Sequence, residues 1–153
     1  MSQSLGFAIS FLIIAYYWIS HQEYFTHYTS TNKTHICLEL VFLLAIAGMP
    51  VNNDFLEAFP TQLAPRIAIS SDIFFAGIFT FFSWNYATSG NRLVDATKMT
   101  PGIARFMSAQ ALVMPAVAII AAVAAVVHPM AWDAVLFVGP IIGMALIKRG
   151  NKT

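Results

Sequence analysis

Long apolar runs alternate along the chain with short polar segments, and this alternation predicts five transmembrane helices. The runs cover residues 5–25, 35–49, 67–86, 102–127 and 132–147. About 20 consecutive apolar residues in a helix cross the ~30 Å hydrocarbon core of a bilayer. The pattern therefore predicts an all-α integral membrane bundle that forms a single domain over residues 1–153.

Proline and glycine residues set the expected ends and bends of these helices. Pro50 predicts the end of the second helix, followed by an outer loop over residues 50–65. Pro115 predicts a kink inside the fourth helix, because proline removes one backbone hydrogen bond. Gly139, Pro140 and Gly143 interrupt the fifth run, which predicts a tilted, kinked or partly peripheral helix.

Basic residues are distributed unevenly between the two sides that this topology defines. Seven of the eight Lys and Arg residues lie in segments that fall on one side, and Arg66 lies on the other. These seven are Lys33, Arg92, Lys98, Arg105, Lys148, Arg149 and Lys152. Cytoplasmic loops of membrane proteins are enriched in Lys and Arg. The distribution predicts an outside N-terminus and a cytoplasmic C-terminus.

Composition supports the membrane class and argues against several functions. Hydrophobic residues make up 58% of the chain, charged residues only 10%, and the mean hydropathy is +0.70. The net charge of +1 forms no basic stripe, so we expect no nucleic-acid partner. No basic residue precedes the first run and no small-residue cleavage site follows it, so we expect it to remain in the mature protein.

Three ionisable residues lie at predicted membrane depth: His21, Glu39 and Asp72. Each costs roughly 2.5 to 3.5 kcal/mol at a helix centre on insertion scales, which makes such residues functional candidates. An antiparallel hairpin of the first two helices places His21 and Glu39 at similar depth, and Trp18 shares the helix face of His21. Two interpretations remain open: a proton-sensitive pair beside a gate, and a hydrogen-bonded pair that holds two helices together.

The remaining polar candidates have similarly divided interpretations. Asp72 either lines an aqueous vestibule or bonds locally with Ser70 and Ser71. The other histidines, His27, His35 and His128, are expected at the membrane interfaces. No histidine pair has the helical spacing of a metal site, so we expect no metal, haem, pigment or other cofactor. A nucleophile elbow and a zinc-protease motif are also missing, which argues against an enzyme.

Several segments resemble the transmembrane protein 175 family of endosomal and lysosomal potassium channels, and more closely its single-repeat bacterial relatives. They are Ile9–Ile14 followed by Trp18–His21, Leu38–Leu44 through Met49–Pro50, and Trp84–Ala87 through Gly90–Leu93. Their order is similar to that of helices two, three and four of the family's six. Glu39 stands where relatives usually have Asn, which suggests that the pair with His21 was retuned.

The resemblance implies a cation channel, with potassium as the ion, but the segment resembling the family begins at its second helix. We therefore expect the pore-lining first helix to come from a partner polypeptide, in a tetramer or a hetero-complex. The alternative is a non-conducting scaffold or accessory subunit of a larger membrane complex. Either would reside in a bacterial inner membrane or a derived internal membrane.

Overall fold

The structure is a computed structural model that describes the backbone of residues 3–150 and the side chains of residues 10–145. Within this part of the chain the architecture is all-α. The helices are α1 (Gln3–His27), α2 (Lys33–Ala58), α3 (Leu63–Thr88), α4 (Pro101–Ala111), α5 (Val113–Val127) and α6 (Pro129–Gly150). A single 3₁₀ turn, Ser89–Asn91, follows α3. Lys152 lies outside the described residues, as do the side chains of Lys148 and Arg149.

The second helix does not end at Pro50, and this corrects the expectation from the sequence. Pro50 lies inside α2, which continues to Ala58, so the predicted outer loop of residues 50–65 shrinks to residues 59–62. Proline removes one hydrogen bond from a helix but leaves the others in place, and neighbouring helices at membrane depth can compensate. The prediction was wrong because a proline ends a helix only where its tertiary surroundings do not support continuation.

Neighbouring helices also bind two asparagines that lie within the predicted loop of residues 50–65. Asn52 donates to Oδ2 of Asp72 on α3 at 2.6 Å, and Asn53 donates to Oγ of Ser10 on α1 at 2.6 Å. Asn usually favours turns because its side chain competes for local backbone groups. Here both side chains are occupied by other helices, so the helical backbone of α2 is retained.

The expected kink in the fourth predicted helix is present. α4 and α5 are separated at Leu112, three residues before Pro115. Pro115 has no N–H to bond the carbonyl one turn earlier, and the Leu112 N–H bonds Ala109 O in a tighter turn at 3.2 Å. Gly77 of α3 makes room for the proline: a Cβ at this position would lie 2.3 Å from Pro115 Cδ.

The last helix is longer and more continuous than expected. α6 contains Pro140 and spans 22 residues, against the interrupted segment of residues 132–147 predicted from the sequence. Its glycines are sites of close packing. A Cβ at Gly143 would lie 2.3 Å from a ring carbon of Tyr16 on α1, and a Cβ at Gly139 would lie 2.5 Å from Val117 on α5. The glycines therefore let α6 approach two neighbouring helices without ending it.

Loops from different parts of the chain meet at one end of the bundle, and α3 and α6 are joined near the other end. At the first end, Thr29 N donates to Leu93 O at 2.8 Å, and Tyr28 forms an isolated bridge with Val94. We call this the basic end, because its loops and the adjoining helix starts carry Lys33, Arg92, Lys98 and Arg105. At the other end, the Trp132 indole N–H donates to Ser70 Oγ at 3.0 Å.

The helices differ in how completely the rest of the molecule covers them. Three segments are long and apolar enough to cross a membrane: Lys33–Ala58, Leu63–Asn91 and Pro101–Val127, while Pro129–Ala145 is a shorter apolar helix. The buried residues of α2 are His35, Phe42, Met49 and Leu56, one at every seventh position. Residues that are seven positions apart lie along a single narrow seam on the surface of a helix. α2 is therefore a peripheral helix with most of its apolar surface uncovered.

Candidate functional site

The structure brings His21 of α1 and Glu39 of α2 together in the half of the bundle near the basic end. His21 Nε2 lies 2.9 Å from Glu39 Oε2, which is hydrogen-bond distance. Their side chains are 23% and 16% exposed. The antiparallel turn between α1 and α2 is short, so residues equidistant from it face each other. This is the pairing that the hairpin argument predicted, and its functional role stays a prediction.

Two further residues reach the Glu39 carboxylate, and sequence reasoning missed both. Ser83 of α3 donates its hydroxyl hydrogen to Glu39 Oε1 at 2.5 Å. His35 places Nε2 3.5 Å from the same oxygen. His35 is only 2% exposed, so it is buried within the bundle close to the start of α2, and its depth at the membrane interface stays a prediction. Its position four residues before Glu39 was the available signal, because such residues share a helix face.

Aromatic rings enclose the His21 imidazole. The ring of Phe25 stacks on it at a centroid distance of 4.3 Å, and the ring of Phe42 stacks on it at 5.1 Å. Trp18 was the expected packing partner, but its side chain is 65% exposed on the surface of α1. Trp18 thus faces outward, and Phe25 and Phe42 hold the imidazole plane in place.

Asp72 lies apart from this cluster, in the other half of the bundle. It accepts the hydrogen bond from Asn52 and packs close to Gly48, where a Cβ would lie 3.1 Å from Asp72 Oδ1. Its expected local partners are engaged elsewhere: Ser71 donates to Ile67 O, and Ser70 accepts from Trp132. Asp72 therefore links α3 to α2, and a role in a vestibule remains a prediction.

The Glu39 carboxylate of α2 accepts hydrogen bonds from two other helices and so links three helices. Donors from α1 and α3 satisfy both carboxylate oxygens, and a second imidazole stands within 3.5 Å. A carboxylate in such a position can hold helices together, and it can also exchange a proton with a histidine. Among the described side chains, no group of three His, Cys, Asp or Glu residues is arranged to hold a metal ion.

The long apolar helices and the intramembrane polar cluster define an integral membrane protein of the helical-bundle class. A family model described as "Endosomal/lysosomal potassium channel TMEM175" matches residues 1–50, about a third of the chain. This match confirms the predicted resemblance to the TMEM175 family. It includes α1 and residues 33–50 of α2, and so contains Trp18, His21 and Glu39. The family is one of channels and not of enzymes, and the chain is a channel-like membrane protein.

Comparison with curated proteins and with solved structures gave no match. The family match and the geometry of the described residues are therefore the observations from which a function is proposed.

Proposed function

We propose that the chain is a subunit of a cation channel, with potassium as the ion, whose pore-lining helix comes from a partner polypeptide. The match of residues 1–50 to a potassium-channel family carries this proposal. The resemblance of the sequence to single-repeat bacterial relatives motivates the bacterial inner membrane, or an internal membrane derived from it, as the proposed location. The assembly would be a tetramer of like units or a hetero-complex.

The uncovered surface of α1 and α2 supports the need for partner chains. Phe11 and Trp18 on α1 are 61% and 65% exposed, and Leu44 and Val51 on α2 are 72% and 67% exposed. Lipid can cover such surfaces, and so can another transmembrane helix. Because α2 buries only one narrow seam, the α1–α2 surface offers a large area for a partner.

The arrangement of polar groups also favours a pore formed between chains. Ion selectivity requires coordinating or gating groups brought together around one axis. The carboxylate of Glu39 is instead bonded by His21 and Ser83, and that of Asp72 is bonded by Asn52. These groups serve contacts between helices of one copy, so a ring of ligands would have to be completed by further helices.

The same observation supports the second candidate, a non-conducting scaffold or accessory subunit. Polar pairs between helices commonly stabilise packing without a transport role. A scaffold would use the same exposed surface of α1 and α2 to bind a larger membrane complex. The two functions differ in whether ions move and in what the partner contributes.

Reconstitution in liposomes tests the proposal. We expect the purified chain alone to pass no potassium in a flux assay, because in this proposal the partner supplies the pore-lining helix. Material purified gently from native membranes is expected to conduct and to contain a partner chain that crosslinks to a photoreactive residue at Trp18. A control with the photoreactive residue at Phe75, which is 50% exposed on α3, should not give this crosslink.

Robust potassium-selective flux from the single chain would overturn the partner-supplied pore. Native complexes that contain the chain and a stoichiometric partner but conduct no cations would favour the scaffold function.

A further inference from the structure

A cavity of about 330 Å³ lies between the loop that joins α1 to α2 and the first turns of α2. Its lining has two distinct parts. His35, Glu39, Thr31 and Ser30 contribute polar groups, whereas Phe25, Ile36, Leu40 and Leu43 contribute apolar walls. The volume is at the lower end of the range typical of small-molecule sites. The cavity is thus suitable in size for a small ligand, and its largely apolar lining carries a few polar groups.

The polar part contains a buried nitrogen without a satisfied hydrogen bond. His35 is 2% exposed, and its Nδ1 pairs with Thr31 Oγ1 at 2.9 Å. Its Nε2 has no hydrogen-bond partner among the described side chains, and the nearest carboxylate oxygen, Glu39 Oε1, is 3.5 Å away. Buried polar atoms in folded proteins are nearly always bonded. In the tautomer whose ring proton lies on Nδ1 and is donated to Thr31 Oγ1, Nε2 is an acceptor. A ligand with several hydrogen-bond donors would satisfy this nitrogen and interact with the carboxylate at the same time.

The apolar part continues along the outer surface of α2. Leu40 and Leu43 are 58% and 51% exposed, so a ligand that enters the cavity can extend along the helix at membrane depth. The rings of Phe25 and Tyr28 also line the cavity, with centroids 5.3 Å apart. Aromatic faces attract a cation through the ring quadrupole, and more strongly when water is excluded.

We propose that this cavity binds a protonated primary amine that carries an apolar chain. The ammonium group would donate hydrogen bonds to His35 Nε2 and to the Glu39 carboxylate, and the chain would lie against Ile36, Leu40 and Leu43. An anionic head group would be repelled by the carboxylate, and a neutral alcohol offers a single donor and no charge. The site does not depend on conduction, so it goes beyond the proposed function.

Binding of n-octylammonium to the protein in phosphatidylcholine nanodiscs tests the site, with empty nanodiscs as the reference for partition into lipid. We expect octylammonium to bind saturably. 1-Octanol has the same chain length but no charge and a single hydrogen-bond donor, so it should need a concentration at least about tenfold higher to reach the same occupancy. Leu43→Trp should weaken octylammonium binding by about tenfold, because the indole fills the cavity. Leu44→Trp is the matched control, since Leu44 is exposed on the same helix but does not line the cavity.

Glu39→Gln should also weaken the binding of octylammonium while leaving that of 1-octanol unchanged. This substitution also alters the contacts with His21 and Ser83 and could prevent folding. In that case the comparison of Leu43→Trp with Leu44→Trp still tests the proposal, because both leucines are exposed and their replacement should not disturb the fold. Equal affinity for the alcohol and the ammonium would overturn the proposal. Equal binding by the two tryptophan variants would overturn it as well.

A further arm distinguishes a lipid head group from a soluble amphipathic amine as the source of this chemistry. Replacing part of the phosphatidylcholine with phosphatidylethanolamine supplies a lipid-borne primary amine. Weaker octylammonium binding in these discs assigns the site to the lipid amine, and unchanged binding assigns it to a soluble one.

Discussion

Glu39 accepts hydrogen bonds from two helices, so removal of this residue and removal of His21 should have unequal effects. His21→Ala takes away one donor, whereas Glu39→Ala leaves both His21 and Ser83 without their acceptor. An unpaired buried polar group costs about 1–3 kcal/mol, so we expect Glu39→Ala to lower thermal stability in detergent more than His21→Ala does. Thermal unfolding of the three variants, including the double variant, measures this.

The double variant should be less destabilised than the sum of the single changes, with a coupling of about 0.5–3 kcal/mol. The exposed pair Lys98–Asp95, at 3.9 Å, provides the control. Lys98→Ala should change stability much less than His21→Ala or Glu39→Ala does, because exposed ion pairs contribute little. Strict additivity of His21→Ala and Glu39→Ala would show that the pair does not interact energetically.

At the scale of elements, glycine positions decide how closely the helices approach. A Cβ added at Gly77 would overlap the ring of Pro115, at 2.3 Å from Cδ. We expect Gly77→Ala to destabilise the fold by about 1–3 kcal/mol, because α3 and α5 would have to move apart. Thermal unfolding in detergent, compared with Gly102→Ala, provides the measurement.

Gly102 is the matched control because its nearest atom outside α4's own backbone, Thr100 Oγ1, is 3.8 Å from the added Cβ. Gly102→Ala should be neutral or stabilising by about 0.5–1 kcal/mol, since alanine favours the helix over glycine. Pro115→Ala in the Gly77→Ala background should recover part of the loss by removing the overlapping ring. If Gly77→Ala were as stable as Gly102→Ala, this result would contradict the close contact between Gly77 and Pro115.

At the scale of the whole molecule, the two ends of the bundle carry different charge. Arg66 is the basic residue that does not follow the pattern, and its surroundings explain why it is tolerated. It is 5% exposed, donates to Gln62 O and Pro60 O at 2.8 and 2.7 Å, and stacks over Trp132 at 5.8 Å from the ring centroid. The Arg66 guanidinium therefore bonds the loop between α2 and α3 to the first turn of α3.

This charge distribution predicts that the basic end is cytoplasmic. With the exposed Cys37 replaced by serine, single cysteines at Thr61 and Ser89 should react with an impermeant thiol reagent from opposite sides of the membrane. In oriented vesicles, Thr61→Cys is expected to label from outside and Ser89→Cys only after permeabilisation.

Ser30→Cys is the internal control, because the Thr29–Leu93 hydrogen bond holds its loop beside that of Ser89. These two positions must label from the same side. Labelling of Thr61→Cys and Ser89→Cys from one side would contradict the topology.

The sequence by itself determined the helical class, the separation of charge and the meeting of His21 with Glu39. Each of these follows from local information: apolar runs of sufficient length, the spacing of charged residues, and a short antiparallel turn that sets which residues face each other. The kink at Leu112 belongs to the same group, because Pro115 removes a backbone hydrogen bond wherever it stands in a helix.

Only the tertiary structure decided where α2 ends and which residues complete the polar cluster. α2 continues through Pro50 to Ala58, and Asn52 and Asn53 within it bond to Asp72 and Ser10. Ser83 reaches Glu39 from 44 residues away, a separation that no local pattern records. The physical reason is common to these cases. The polar side chain of such a residue is compatible with an apolar helix when a group from a distant segment forms a hydrogen bond with it, and only the fold brings that segment close.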